Sequence, residues 1–555
     1  MKRLSLKIVS KYISLSFLIF LSGCDETSSK TLKSNEIVKS NEIVTVIENY
    51  QEVYRLHQEN IENNFTEVSD IDFETSTQTK SYYLGIPDDP IYFYQWHLKM
   101  LNTEDIWAKY TGTGIKIAIV DSGIESNHPD LFNNIDFNLS YRYSDSSHNP
   151  SPDEKQLENS PQSSAHGTAC AGIIGAEGWN GKGVIGIAPT VSLIGLNSFS
   201  TGLDADFEDA LGNINVDISN NSWGGSESTI LYDDPASMRG IEQGIKYGRG
   251  GKGVLYTFAS GNEGNNANYS TLHGSRYVFN IGAVIYDDEV PTYSNFGDNI
   301  LITAPAGDSD LSDNKGIFTT DLTGITYGFD KHPTFTKVLR FYNGDYTGFM
   351  NGTSSAVPVV SGVLALILQA NPELTYRDVK YIVAKTGIKL NLDNSKYNWE
   401  QNGAGIYFSP YYGFGAINLV KAVEMAEDFS GLGVQIHIEN SRFSTISIPD
   451  NSEVGISSTI QIEKDIKIEH ITITVDIPTH LSVGDLEILL ISPEGTTSKL
   501  MYGDKTIIGK LANWELNSLK FLDENSKGDW TLRIKDKKYK NVGTLESWKI
   551  DVFGR

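Results

Sequence analysis

Between about Ile86 and Glu427 the chain alternates short apolar runs with helical patterns, and this alternation restricts its fold more than any other feature. The runs are IKIAIV, VSLIGLN, VDISNNSW, GVLYTFAS, YVFNIGAV and ILITAPAG. Between them stand GTACAGIIGA, DFEDALGNI and SMRGIEQGIKYG, which read as helices. Strands that are apolar on both sides need cover on both faces, so the pattern predicts an α/β fold: a doubly wound parallel sheet with helices on each face. Chemistry in such a sheet gathers in the loops at the carboxyl ends of the strands. After about Asn440 the apolar period changes to two, as in Ile471, Ile473, Val475 and Ile477, then Trp530, Leu532 and Ile534, then Trp548, Ile550 and Val552. That predicts a second, smaller all-β sandwich. The expected domains are 86–430 and 441–555.

The opening MKRLSLKIVSKYISLSFLIFLSGC places a basic start before an apolar stretch and ends in small residues before Cys24. This is the layout of an export signal, too short and wrongly flanked for an ordinary membrane span. LSGC resembles the bacterial lipobox, which implies a signal over 1–23, a lipid on Cys24 and an exported, membrane-anchored lipoprotein; a plain signal peptide is the alternative. With Cys24 lipidated, Cys170 has no partner for a disulfide, since the chain has 2 cysteines. Residues 24–85 read as a tether or short pro-segment, rich in Ser, Asn, Glu and Thr, with a tandem duplication in KSNEIVKSNEIV. The 555 residues carry 45 Lys and Arg against 70 Asp and Glu, a net charge of −25. A surface of that sign repels nucleic acid and anionic membrane and favours cationic substrates or divalent metal ions.

Three fragments of the α/β region carry chemistry. Asp121 follows the strand IKIAIV, His166 is read as opening the helix HGTACAGIIGA, and Ser354 opens the helix of NGTSSAVPVVSGVLALI. A helix start leaves N–H groups unpartnered and carries partial positive charge, which suits a nucleophile and the anion it creates. Pro358 is placed near that first turn, where its missing N–H is not needed. Asp, then His, then Ser is a chain order known for serine hydrolases. Ser354 needs His166 as base, and His166 needs Asp121 to fix its tautomer. Cys170, among small residues, reads as inert packing.

These fragments, with NSWGG, ASGNEG and NGTSSAVP, resemble the kexin and furin branch of the subtilisin-like serine proteases, from about Pro87 to Phe429. The tail, with ISSTI, HLSVGDLEILLISPEGT, GDWTLRIKD and LESWKIDVFG, resembles the P-domain that follows the catalytic domain in that branch. The resemblance implies a serine endopeptidase acting on polypeptides as a monomer. Asn262 would be the oxyanion donor, and Ser222, Trp223 and Gly224 would pair with the substrate backbone. Asp89, Asp130 and Asn180 align with oxygen ligands of a structural calcium site.

Specificity departs from that branch. Ser122 stands where a second acid is usual, Glu227 replaces an aspartate, Ser270 stands near another, and Asn295 replaces a metal-binding acid. Asp233 matches an acid further out. A buried basic side chain needs a paired carboxylate, so the expectation is a broad endopeptidase with at most a modest preference for one basic residue before the scissile bond. The alternatives are a degradative enzyme with apolar preference and a silent binding protein that uses its β module. The segment 322–349 reads as an insertion of unassigned role.

Overall fold

All six apolar runs become strands of one sheet. The computed structural model describes residues 86–224, 231, 234–308, 315–329, 344–503, 507 and 509–555. Cys24 with its signal and tether, Glu227, Asp233 and the middle of the insertion, 330–343, lie outside the described residues. The strands are β1 (Lys116–Val120), β2 (Tyr141–Arg142), β3 (Ser192–Asn197), β4 (Ile218–Asn221), β5 (Leu255–Ala259), β6 (Val278–Val284) and β7 (Ile302–Pro305). They form a seven-stranded sheet in the order β2-β3-β1-β4-β5-β6-β7, with every neighbour parallel.

Side-chain alternation divides each strand between two cores. Ile117 and Ile119 join the helices Pro161–Gly175 and Thr353–Ala370, whereas Ala118 and Val120 join Asp204–Leu211 and Pro235–Tyr247. The helix Thr353–Ala370, with a mean hydropathy of 1.6, is long and apolar enough to cross a membrane; it is instead the buried helix beneath β4 to β7. Each Val, Leu or Ile it buries contributes roughly 1.5–3 kcal/mol.

The ends of the insertion are not a free loop. β8 (Ile317–Thr320) and β9 (Tyr346–Met350) pair antiparallel. Thr319 and Thr320 hydroxyls each donate at 2.7 Å to the carbonyls of Ala169 and Thr168. The strand β8, which leads into the insertion, thus braces the helix that carries His166.

Downstream, β10 (Ile436–Ile448), β12 (Ile468–Ile477), β15 (Leu511–Ser518) and β17 (Gly543–Gly554) form one antiparallel sheet, in the order β10-β17-β12-β15. β11 (Ile456–Ile462), β13 (Leu486–Ile491), β14 (Thr497–Tyr502) and β16 (Gly528–Asp536) form the other, in the order β11-β16-β13-β14. The sandwich therefore opens at Ile436, ahead of residue 441. Its core holds the period-two residues Ile471, Ile473, Val475, Ile477, Trp530, Leu532, Ile534, Trp548, Ile550 and Val552. Tyr269, from the α/β half, is packed into that same core.

Candidate active site

Asp121 directly follows β1, so its carboxylate sits at the sheet's carboxyl edge, 4% exposed. Ser122 N–H donates to its Oδ1 at 2.7 Å. Across from it, His166 Nδ1 lies 2.9 and 3.0 Å from the two Asp121 oxygens. A proton on Nδ1 satisfies that pair and leaves Nε2 as the bare base. His166 does not open its helix: Pro161 does, at the first position, where a missing N–H is harmless, and His166 lies in the second turn. Gly167 permits the approach, because a Cβ there would stand 2.3 Å from the Gly123 carbonyl.

Ser354 is the second residue of Thr353–Ala370, half-buried, and its Oγ donates to the Ser222 carbonyl at 2.9 Å. Pro358 stands at the sixth helical position, past the first turn, which corrects the sequence reading. Its absent N–H would have faced the Ser354 carbonyl four residues back. Cys170 Sγ approaches that carbonyl at 3.8 Å and His166 Nδ1 at 4.0 Å. The thiol thus does more than fill space: it bridges the helix that carries His166 and the helix that carries Ser354.

Asn262 follows β5, and its Oδ1 accepts from Thr353 N–H at 2.8 Å and Thr353 Oγ1 at 2.9 Å. Both donors hold the oxygen, so the amide's Nδ2 is the end left for the cleft. The helix is preceded by Gly352 at φ 74, a conformation a side chain would strain. The loop is held by buried Asn295, whose Oδ1 accepts from Asn265 N–H at 2.8 Å and Glu263 N–H at 3.2 Å while its Nδ2 donates to the Ser260 carbonyl at 2.8 Å. Replacing Asn262 by alanine is expected to lower kcat about 100- to 1000-fold with little change in KM; steady-state kinetics on a peptide substrate checks it.

The substrate-strand candidates follow β4. Ser222 is buried, Trp223 Nε1 donates to the Val120 carbonyl at 2.7 Å, and the exposed Gly224 rests on the buried His273 ring. Ser122 and Ser270 are committed to local structure: Ser122 Oγ donates to the Ser164 carbonyl and accepts from Gly167 N–H, and Ser270 caps the short helix Thr271–Gly274.

Burial works against a charged His166, but the Asp121 carboxylate outweighs it and holds the imidazole pKa well above its ordinary value. A base is lost as pH falls through its pKa, so the acid limb of kcat/KM should lie above the pH of a free imidazole. Asp121→Asn should move that limb downward and lower kcat about 10⁴-fold, readable in pH–rate profiles of the two proteins.

Asp89 and Asp130 meet in a second, buried cluster. Asp89 Oδ2 accepts from Trp179 N–H at 2.9 Å; among the described residues its Oδ1 has no hydrogen-bond partner. Asp130 accepts from Asn180 Nδ2 at 2.7 Å and Val184 N–H at 3.0 Å. Burial raises both carboxyls to about 7; for Asp89, the Trp179 N–H opposes the rise and the charges of Asp130 and Asp88 add to it. Two buried carboxylates with an orphaned oxygen and an adjacent amide are the donor chemistry of a hard cation.

Residues 112–415 match the Subtilase family, over more than half of the chain, and the chain belongs to that family. Residues 468–552 match the Proprotein convertase P-domain. Kexin of Saccharomyces cerevisiae is 29% identical over 495 residues, covering 84% of this chain and 56% of kexin. The dibasic-processing endoprotease of Schizosaccharomyces pombe is 31% identical (85% of this chain, 66% of that protein), and bovine furin is 30% identical (84% and 58%). The chain thus spans between about half and two thirds of the length of these three relatives. The crystal structure of a serine protease of Aeromonas sobria superposes with a TM-score of 0.76 at 25% identity, covering 88% of this chain and 99% of that one.

Proposed function

We propose that this chain is a serine endopeptidase. The reading is carried by the His166–Asp121 pair, 2.9 Å apart, which leaves Nε2 as the base, and by Cys170 Sγ, which lies 4.0 Å from His166 Nδ1 and 3.8 Å from the Ser354 carbonyl. Rotation of Ser354 about χ1 turns its hydroxyl from the Ser222 carbonyl toward His166 Nε2, which takes the proton as Oγ attacks the scissile carbonyl. Asn262 Nδ2 and the Ser354 backbone N–H receive the oxyanion. His166 then gives the proton to the leaving amine as the C–N bond breaks, and afterwards takes a proton from the water that hydrolyses the Ser354 ester.

The substrate class is broad, with a modest preference for one basic residue before the cut. Support comes from Ser122, whose hydroxyl is spent on the His166 helix, and from Asn295, an amide bonded within its own loop. Glu227 and Asp233 are the acids assigned to basic side chains. Digestion of a peptide library, read by mass spectrometry, should show many cleavage sites enriched at most about tenfold for Lys or Arg, with the enrichment lost in Glu227→Gln. Absolute dependence on two adjacent basic residues would overturn the specificity; no cleavage at all would overturn the enzyme. A cleavage profile that Glu227→Gln leaves unchanged would favour apolar preference.

Asp89, Asp130 and Asn180 would hold calcium, which supplies the charge that keeps both carboxyls ionised at neutral pH. Calcium at about 100 times its Kd adds about 2.7 kcal/mol. Chelation is therefore expected to lower Tm by several degrees at pH 8, and by less below pH 6, where protons compete for the same oxygens. A calorimetric scan with and without chelator measures both.

A further inference from the structure

The seam between the α/β half and the β sandwich holds a partly open cavity of about 40 Å³, lined from the first side by Arg276, Arg377 and Lys380 and from the second by Glu469 and His470. Among the described residues lining it, the single carboxylate is Glu469, and both its oxygens are taken by Arg377, at 2.9 and 2.8 Å. The other two cations have neutral partners. Lys380 Nζ donates to the carbonyls of Arg276 and Val278, each at 2.9 Å. Arg276 donates to Tyr376 Oη, Gln435 Oε1 and Tyr277 Oη, and its guanidinium lies between the rings of Tyr277 and Phe553, 4.1 and 4.2 Å from their centroids.

Arg276 and Lys380, both half-buried, thus share a seam whose lining carboxylate is already bonded by Arg377, in a protein whose net charge is −25. An uncompensated buried charge is expensive, and it must be neutralised by a counter-ion or by loss of its proton. Burial, and then the neighbouring Arg276, push the Lys380 ammonium down to about 7, against the pull of Glu469. His470 adds no further positive charge, since burial holds its imidazole neutral, down at about 3, and its Nδ1 has no partner among the described residues. A water needs roughly 10–15 Å³. The space is therefore right for a halide or a small oxyanion and too small for an organic ligand.

We propose that the cavity between Arg276, Lys380 and Glu469 is a binding site for a small inorganic anion, which completes the charge balance of the seam and fastens the sandwich to the α/β half. The anion would take the remaining Lys380 N–H and stand beside the Arg276 guanidinium. Binding to the folded chain alone stabilises it by mass action.

The test is thermal unfolding of the full chain in chloride, sulfate and gluconate at equal ionic strength, gluconate being too large to enter. Chloride, sulfate or both should raise Tm by about 3 °C or more over gluconate; a response to sulfate alone assigns an oxyanion site, and a response to chloride a halide site. Lys380→Met should lose that increment and, in gluconate, match or exceed the wild type. Should that variant not fold, Arg276→Gln serves, and anomalous diffraction from a bromide-grown crystal should place bromide between the two cations. Equal Tm values in the three salts, or an increment that the variant keeps, would overturn the site.

Discussion

Ser354→Ala is expected to lower kcat on a peptide substrate by about 10⁶-fold with KM nearly unchanged, a magnitude taken from subtilisin's own triad. In the proposed mechanism the alcohol forms the covalent intermediate, so nothing else in the cleft would replace it. His166 and Asp121 remain paired at 2.9 Å without it, but they have no nucleophile to activate. The residue left behind is an alanine at the second position of a stable helix, so Tm should change little. Loss of activity with an unchanged melting curve separates chemistry from folding. A variant that keeps more than about a hundredth of wild-type kcat would show that another group attacks.

Ending the chain at Asp428 is expected to abolish soluble, active protein. The loop that starts at Asn262 is moulded by the sandwich. Asn266 Nδ2 donates to the Leu500 carbonyl at 2.7 Å; Asn268 donates to the Asn517 carbonyl at 3.1 Å and accepts from Asn517 N–H at 2.9 Å. Trp514 Nε1 donates to the Asn268 carbonyl at 3.2 Å, and Tyr269 sits in the sandwich core. Leu519 and Leu522 of the sandwich, in turn, are buried in the core of the α/β half. Removing the sandwich exposes these apolar surfaces and frees the segment six residues from Asn262. Within the full chain, Asn268→Ala leaves the Asn517 backbone unpaired and should cost about 2–3 kcal/mol, visible as a lower denaturant midpoint. A truncated chain that is monomeric, folded and fully active would refute the coupling.

Much of the α/β sheet was legible because its strands are apolar on both sides, and β1 to β7 gather those runs in one parallel order. The sandwich was legible for the opposite reason, the strict alternation of Ile471 to Ile477. Helix starts were less so: GTACAGIIGA carries no cap signal, and Pro161 set the start a turn and a half before His166. Asn262 is assigned through its neighbours' likeness, but the residue that fixes its amide, Thr353, is 91 residues away and carried no local sign. The seam was silent. Arg276, Arg377 and Lys380 each look like solvated charges, since periodicity shows which face of an element is buried and not which charged face another domain will cover. Asn268 and Tyr269 carried no sign of their contacts for the same reason.

The account rests on Ser354 being the activated nucleophile of a working site. Labelling the purified chain with a fluorophosphonate, followed by peptide mapping, tests this most directly. The adduct should fall on Ser354, disappear in Ser354→Ala and His166→Ala, and form more slowly in Asn262→Ala. An unlabelled wild type, or an adduct on another residue, would contradict the assignment.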